Sequence, residues 1–416
     1  MTVAEKSGYI DLQAESQIDD PYPLYDKVRE IDPVYWNGDK GLWYVTGHPE
    51  LLEMLRDTRF SGKYYLENKD QMLNLTEEGI KFRKQMYMGG MAMAAYARGK
   101  ALVTNDPADH IARRRMFKPH FTPSAVKAME PVLRDIVERV VERLEGKDDV
   151  EFIRDFAYEI PVQVVTLLLG IPDDQAAGYF DYDAYDKARR VKSGVGTDAD
   201  YQRLADTGRE YMDLIDKLIA TRRAEPDDKV VTTMLNSEVP QCPYSQEDLY
   251  CEIYGLIHAG LSTTTAFLGN VVYFLLKFGA WERVRDDREL IPVALEECLR
   301  WDPPQQIAGR TALEDIEFFG HTIRKGDIVL GFPGAANRDP RVFERPNEFI
   351  VDRKPNPHLS FGQAAHFCIG APFARLEGEL MLEALFERCP DLKLAGEAKH
   401  AHCIGFGLET LPLRTS

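Results

Sequence analysis

The sequence predicts a mainly α-helical protein with small antiparallel β-sheets, a single domain over residues 1–416 built around one long central helix. Three observations predict it. A capping box at Ser245 opens a helical apolar pattern of more than thirty residues. Two short stretches carry hairpin signals. No internal repeat and no Pro/Gly/Ser-rich linker divides the chain.

Taken in order, PVYWNGDKGLWYVTG alternates apolar and polar residues around Asn37-Gly38, the mark of a hairpin. Thr122-Pro-Ser starts a helical pattern that runs to about Lys147. A further helix covers Val162 to Leu169. Residues Asp173 to Tyr201, rich in tyrosine and charge, read as two helices with a mobile connection. The long helix runs from Ser245, with Asp248 three residues on, to Lys277, where Phe278-Gly279 stops it. At 1.5 Å per residue it spans roughly 50 Å, and its apolar residues on most sides place it in the core. FFGHTIRKGDIV, Phe318 to Val329, reads as a second hairpin. The last helix runs from about Ile369 to Arg388.

Composition narrows the function. The 44% hydrophobic and 29% charged content suits a globular protein with a large core. A net charge of -17 opposes general nucleic-acid binding, because nothing offsets phosphate repulsion. No leader-like N-terminus is seen, and the longest apolar run, Val271 to Leu276, is far short of a membrane span. The expectation is a cytoplasmic chain. Its six cysteines (242, 251, 298, 368, 389 and 403) show no CxxC pairing and no framework, which argues for a reducing compartment and against structural zinc.

One of those cysteines stands apart. In HLSFGQAAHFCIGAPFARLEG, Cys368 lies just before a helix, between Gly362 and Gly370. Unsatisfied amides and the helix dipole at that position lower a thiol pKa and favour thiolate. A thiolate there serves as a nucleophile, with His366 as its base, or as a metal ligand. The apolar neighbours Phe361, Phe367 and Ile369 suit a large flat ligand better than acyl transfer. In the long helix, HAGLSTTTAFLGN places Gly260 and three threonines mid-helix, where they form helix poorly. Either a ligand approaches closely there, or Thr263 bonds back to the Ala259 carbonyl and bends the helix. In LEECLRWDPP, Glu297 and Arg300 share one helix face and can pair; on a surface such a pair contributes almost nothing.

Together and in this order, these segments resemble the cytochromes P450, the haem-thiolate monooxygenases. The likeness runs from about Pro21 to the C-terminus. Phe361-Gly362 to Gly370 resembles the family's FGxGxHxCxG loop, and Glu297–Arg300 its ExxR pair, with Arg353 as third member. Ala259 to Thr264, AGLSTT, resembles the oxygen-binding stretch; Gly309 to Asp315 resembles the RxAxxD segment; Asp106 to Arg115 resembles the early helix that touches haem. The resemblance implies haem b with Cys368 as axial thiolate ligand. It implies Phe361 packed on the porphyrin and Gly370 closing the loop. It implies His110, Arg114, Arg310 and His366 on the propionates, and Glu297, Arg300 and Arg353 as a buried structural network. Ala259, Gly260, Ser262 and Thr263 would form the oxygen side, with Thr263 supplying the hydroxyl.

Two positions depart from the family pattern. Ala364 replaces the loop's second glycine, which implies a slightly different turn. Ser262 stands where the family often has an acid, so Ser262 or an ordered water must complete the relay. The resemblance further implies a substrate pocket at Met88, Met91, His258, Ile307, Ala308 and Phe406, suited to a medium-sized natural-product intermediate. Electrons come from a ferredoxin and an NAD(P)H-dependent ferredoxin reductase, docked on Arg113, Arg115 and Lys118; no nucleic acid or membrane is a partner. Oxidative coupling or peroxide-driven oxidation on the same haem is the second reading, and a haem sensor or carrier without turnover the third.

Overall fold

The computed structural model describes residues 19–38, 40–62, 107–144, 147–172, 175–176, 180–182, 198–236, 245–401 and 407–415, with Leu12 and Leu102. The chain begins with α1 (Tyr22–Ile31), β1 (Val34–Asn37), β2 (Leu42–Val45), α2 (His48–Arg56) and β3 (Phe60–Ser61). Then come α3 (Pro107–Phe121), α4 (Pro123–Glu142), β4 (Asp149–Glu151), α5 (Glu159–Leu169), α6 (Asp198–Ala224) and α7 (Val230–Leu235). The long helix is α8 (Gln246–Lys277), followed by α9 (Trp281–Asp286), α10 (Ile291–Trp301) and β5 (Ala308–Ala312). β6 (Ile316–Phe318), β7 (His321–Ile323), β8 (Ile328–Gly331) and α11 (Pro333–Ala336) lead to α12 (Ala371–Arg388). The chain ends with β9 (Lys393–Leu394), β10 (Lys399–His400), β11 (Leu408–Thr410) and β12 (Pro412–Arg414).

The helix starts follow from local chemistry. Thr122 Oγ1 accepts the Ala125 N–H at 3.2 Å and Pro123 sits where no N–H is needed, so α4 starts as the sequence indicates. In α8 both halves of the capping box are made: the Asp248 N–H donates to Ser245 Oγ at 3.1 Å, and the Ser245 N–H to Asp248 Oδ2 at 3.0 Å. Gly279, at φ +64°, follows its last turn. By length and apolar content α8 would satisfy a membrane span, but most of that stretch is buried inside the protein, where it serves as the core helix. It packs on α5, α10 and α12, and α12 lies along α4. The largest apolar core surrounds these helices.

The main sheet has the order β1-β2-β8-β5-β3. Its first pair is the hairpin read from the sequence, in the register Val34↔Val45 to Asn37↔Leu42. One pair, β2 with β8, is parallel, so this sheet is mixed and the others antiparallel. The second hairpin lies earlier than 318–329: β6 and β7 turn at Phe319–Gly320, both at positive φ. The Lys325-Gly326 turn is present too, but the strand after it pairs with β2 and β5 instead of folding back on β7. Most of Asp173 to Tyr201 falls outside the described residues.

Candidate functional site

Cys368 occupies a loop built between β8 and α12. Gly362 (φ +69°) gives the first sharp bend, and a Cβ there would sit 3.3 Å from the His366 carbonyl. Ala364 makes the second bend at φ +54°, so the alanine takes the left-handed conformation itself rather than diverting the turn. The Cys368 N–H donates to the Phe361 carbonyl at 2.8 Å and the Phe367 N–H to the Ala364 carbonyl at 3.2 Å. Gly370 caps α12 and leaves Sγ facing the amides of Gly370 and Ala371.

The thiol is accessible at the loop surface, yet its pKa lies above the ordinary value. This corrects the expectation of a depressed pKa. Dense protein around Sγ penalises the charge more than the two amides, Arg114 and Arg375 favour it. A bound metal cation displaces such a proton.

Nitrogen-bearing side chains converge beside the thiol. His110 on α3 is buried, and its ring lies 4.3 Å from that of His366, in the 3-10 turn Ala364–His366. Burial, then Arg114, pushes His110 down to about 4. Burial, then Arg310, His110 and Arg114, pushes His366 down to about 3. Arg114 also interacts with Cys368, and its own pKa is lowered by burial. His110 Nδ1 is buried with no hydrogen-bond partner among the described residues. Two imidazoles and two guanidiniums that repel each other's protons, with an unused buried ring nitrogen, fit an anionic group with several acceptors.

A buried ionic network anchors the segment ahead of this loop to α10. Glu297 and Arg300 are both fully buried, and Arg353 is 7% exposed. Arg300 donates to Glu297 through Nε (2.7 Å) and Nη2 (2.8 Å), and to the carbonyls of Asn337, Pro346 and Glu348. Arg353 Nε donates to both Glu297 oxygens at 3.1 and 3.2 Å, and its Nη atoms to the carbonyls of Glu344, Arg345 and Glu348. Burial turns a pair that would be idle on a surface into a clamp on residues 344–353.

A second clamp was missed from the sequence. Glu296, next to Glu297, accepts from Arg375 Nε at 2.7 Å and Nη2 at 2.9 Å, and meets His358 Nε2 at 2.9 Å. These hydrogen bonds overcome burial and hold Glu296 down at about 2. Arg375 in turn lies over the Phe361 ring, 4.6 Å from its centroid, which fixes Phe361 beside the cysteine loop. The doubled acid in LEECLR was the available signal.

On α8 the hydroxyls bond back to the helix. Thr263 Oγ1 donates to the Ala259 carbonyl at 2.6 Å and Ser262 Oγ to the His258 carbonyl at 2.9 Å. Ala259 is exposed and Ser262 and Thr263 half-buried, so this stretch faces open space. Gly260 points elsewhere: a Cβ there would meet Val165 of α5 at 2.8 Å, so close helix packing, not a ligand, requires that glycine. The half-buried His258 ring lies 4.3 Å from that of Tyr254. Ile307 and Ala308 are half-buried at the start of β5. Met88, Met91 and Phe406 lie outside the described residues. Of the three cations read as a docking patch, Arg115 and Lys118 are exposed, but Arg113 is buried and paired with Asp248 and Glu252.

The cytochrome P450 family model matches residues 282–400. The polyketide biosynthesis cytochrome P450 PksS of Bacillus subtilis (strain 168) is 30% identical over 411 residues, covering 95% of this chain and 96% of that protein. Among solved structures, P450BioI in complex with an acyl carrier protein ligated to hexadec-9Z-enoic acid superposes with a TM-score of 0.82. It is 28% identical and covers 96% of this chain and 99% of its own. CxnD, a cytochrome P450 for C-S bond formation in chuangxinmycin biosynthesis, gives a TM-score of 0.81 at 27% identity, covering 98% and 96%.

Proposed function

This chain belongs to the cytochrome P450 family, and from that membership we propose how its own residues carry the chemistry. It is a haem b monooxygenase. The haem supplies the iron at which dioxygen is activated with two external electrons, one oxygen atom entering the substrate and the other leaving as water.

Cys368 Sγ would bind the haem iron, held by the loop from Phe361 to Gly370. The observation that carries this is the convergence of Sγ with the His110, His366, Arg114 and Arg310 cluster. Those four would hold the two haem propionates, the neutral imidazoles by donating N–H bonds to them. Phe361 shields the sulfur from water. Glu297, Arg300 and Arg353 fix the approach to the loop.

Thr263 gives its proton to the Ala259 carbonyl, so its oxygen lone pairs face the open side of α8 as acceptors. Ser262 likewise gives its proton to a carbonyl. It relays a proton but cannot store charge, so the proton must enter from solvent. With Ala259 these residues form the oxygen-side wall, and His258, Ile307 and Ala308 line the substrate side. The substrate is a medium-sized organic molecule, a natural-product intermediate of the kind made in the polyketide biosynthesis named for PksS. A ferredoxin with its NAD(P)H-dependent reductase supplies electrons, docking on Arg115 and Lys118; reduction that is indifferent to ionic strength would refute that docking.

Ser262 in place of an acid supports the second reading, oxidative bond formation, the chemistry named for CxnD. Turnover with a surrogate ferredoxin and reductase under labelled dioxygen, across a substrate panel, decides. Hydroxylation leaves one labelled oxygen in the product; coupling leaves none. No NADPH consumption with any substrate would refute both.

A further inference from the structure

The first turns of α8 hold a cluster of buried charge that the haem site does not use. Arg113, on α3, is 5% exposed and lies between two carboxylates. Its Nη2 donates to Asp248 Oδ1 at 2.9 Å and its Nη1 to Glu252 Oε1 at 3.0 Å. Glu252, 1% exposed, gives its other oxygen to the backbone: the Leu102 N–H donates to Oε2 at 3.0 Å. Asp248 Oδ2 is committed to the N–H and hydroxyl of Ser245. Three pieces thus meet at one carboxyl: α3, which carries His110 and Arg114; α8, which carries Thr263; and Leu102, which follows Met88 and Met91 in the chain.

Among the described residues one guanidinium faces two carboxylates, so full ionisation leaves these three groups with a net negative charge where little water reaches, and holding one proton relieves it. Asp248 is not its site. Burial raises that carboxyl, but the bonds from Ser245 and Arg113 outweigh burial and hold it below its ordinary value. Glu252 is the site, because burial pushes it up to about 7 against the Leu102 amide and Arg113. Among the described residues, the charged groups acting on it are Arg113 from α3 and Asp248 one turn back; its neighbour Cys251 stays a thiol, raised by burial.

We propose that Arg113, Asp248 and Glu252 form a proton-sensitive strap that fastens Leu102 to α8, tight when Glu252 is ionised and slack when it is protonated. The geometry dictates the direction. Ionised, Glu252 offers a charged acceptor to each donor. Protonated, it leaves one oxygen a hydroxyl, a poor acceptor, and either oxygen already faces an N–H, from Arg113 or from Leu102. The bond to that hydroxyl oxygen weakens, and the other loses its charge assistance.

Hydrogen exchange at the Leu102 amide of the haem-loaded full chain tests the strap between pH 6 and 8, corrected for intrinsic exchange. Protection is expected to rise about tenfold with pH, the factor that one charge-assisted hydrogen bond gives, with a midpoint near 7. Glu252→Gln should show the low protection at every pH, and Arg113→Lys should weaken it without abolishing its titration. A wild-type profile flat in pH overturns the strap, and that profile needs no variant to fold.

Discussion

Replacing Glu297 by Gln removes one negative charge at nearly constant volume, and the structure sets the cost. Five N–H donors converge on that carboxylate: Arg300 Nε and Nη2, Arg353 Nε, the Ile350 amide and Asn356 Nδ2. A glutamine offers one carbonyl oxygen with two lone pairs, and its amide points a further donor into the cluster. At least three donors then lose their acceptor. Each buried unsatisfied donor costs about 1 kcal/mol or more, and two guanidiniums remain without a counter-charge. The sum is about 3–5 kcal/mol, the range measured when one partner of a buried ion pair is removed. Because Arg353 grips the carbonyls of residues 344, 345 and 348, the damage should reach the cysteine loop that follows. The assay is urea unfolding followed by circular dichroism, with the haem-to-protein ratio determined in parallel. Glu297→Gln is expected to lower both the midpoint and the ratio. A loss under about 1 kcal/mol with full haem content would refute the clamp, and the pair would be as idle as an exposed one.

Three further outcomes follow from other contacts. Ala364 holds φ +54°, which strains an L-residue by roughly 1 kcal/mol; glycine's greater unfolded-state entropy offsets part of the gain. Thermal unfolding should therefore show Ala364→Gly at or slightly above wild type and Ala364→Val clearly below. Gly260→Ala drives a methyl to 2.8 Å from Val165, and should cost about 1 kcal/mol or more despite alanine's better helix propensity. Val165→Ala in the same chain should recover much of that loss, and additive losses would contradict the contact. Glu296 has its folded pKa depressed to about 2 by Arg375 and His358, so its stabilisation is present above the unfolded carboxylate value and is lost as pH falls toward 2. Stability measured against pH should fall less steeply between about 4.5 and 2 in Glu296→Gln than in wild type; identical slopes would remove Glu296 from that role.

The sequence made the long helix legible because its signal is local: four residues, Ser245 to Asp248, contain a complete capping box, and both bonds form. The cysteine loop was legible for a similar reason, since its bends fall within ten residues. Burial was not local. The spacing of Glu297 and Arg300 places them on one face, but nothing in it says that the face lies under residues 337–353. Arg113 shows the same gap. Three consecutive cations on a helix point in directions about 100° apart, so one faces inward, and its acids lie 135 and 139 positions away in the chain. The thiol pKa was misjudged because amides at a helix start are visible in sequence while packed atoms are not. The Phe318 to Val329 hairpin slipped because two turns lie close together, and only sheet pairing decides which strands they join.

The account centres on Cys368 as a thiolate ligand to haem iron. The most direct measurement is the absorption spectrum of the purified, reduced, carbon monoxide-bound protein beside Cys368→Ala. The account predicts a strongly red-shifted Soret band in the wild type that the variant lacks. A wild-type band at the position typical of histidine-ligated haem, or one that survives the substitution, would contradict it.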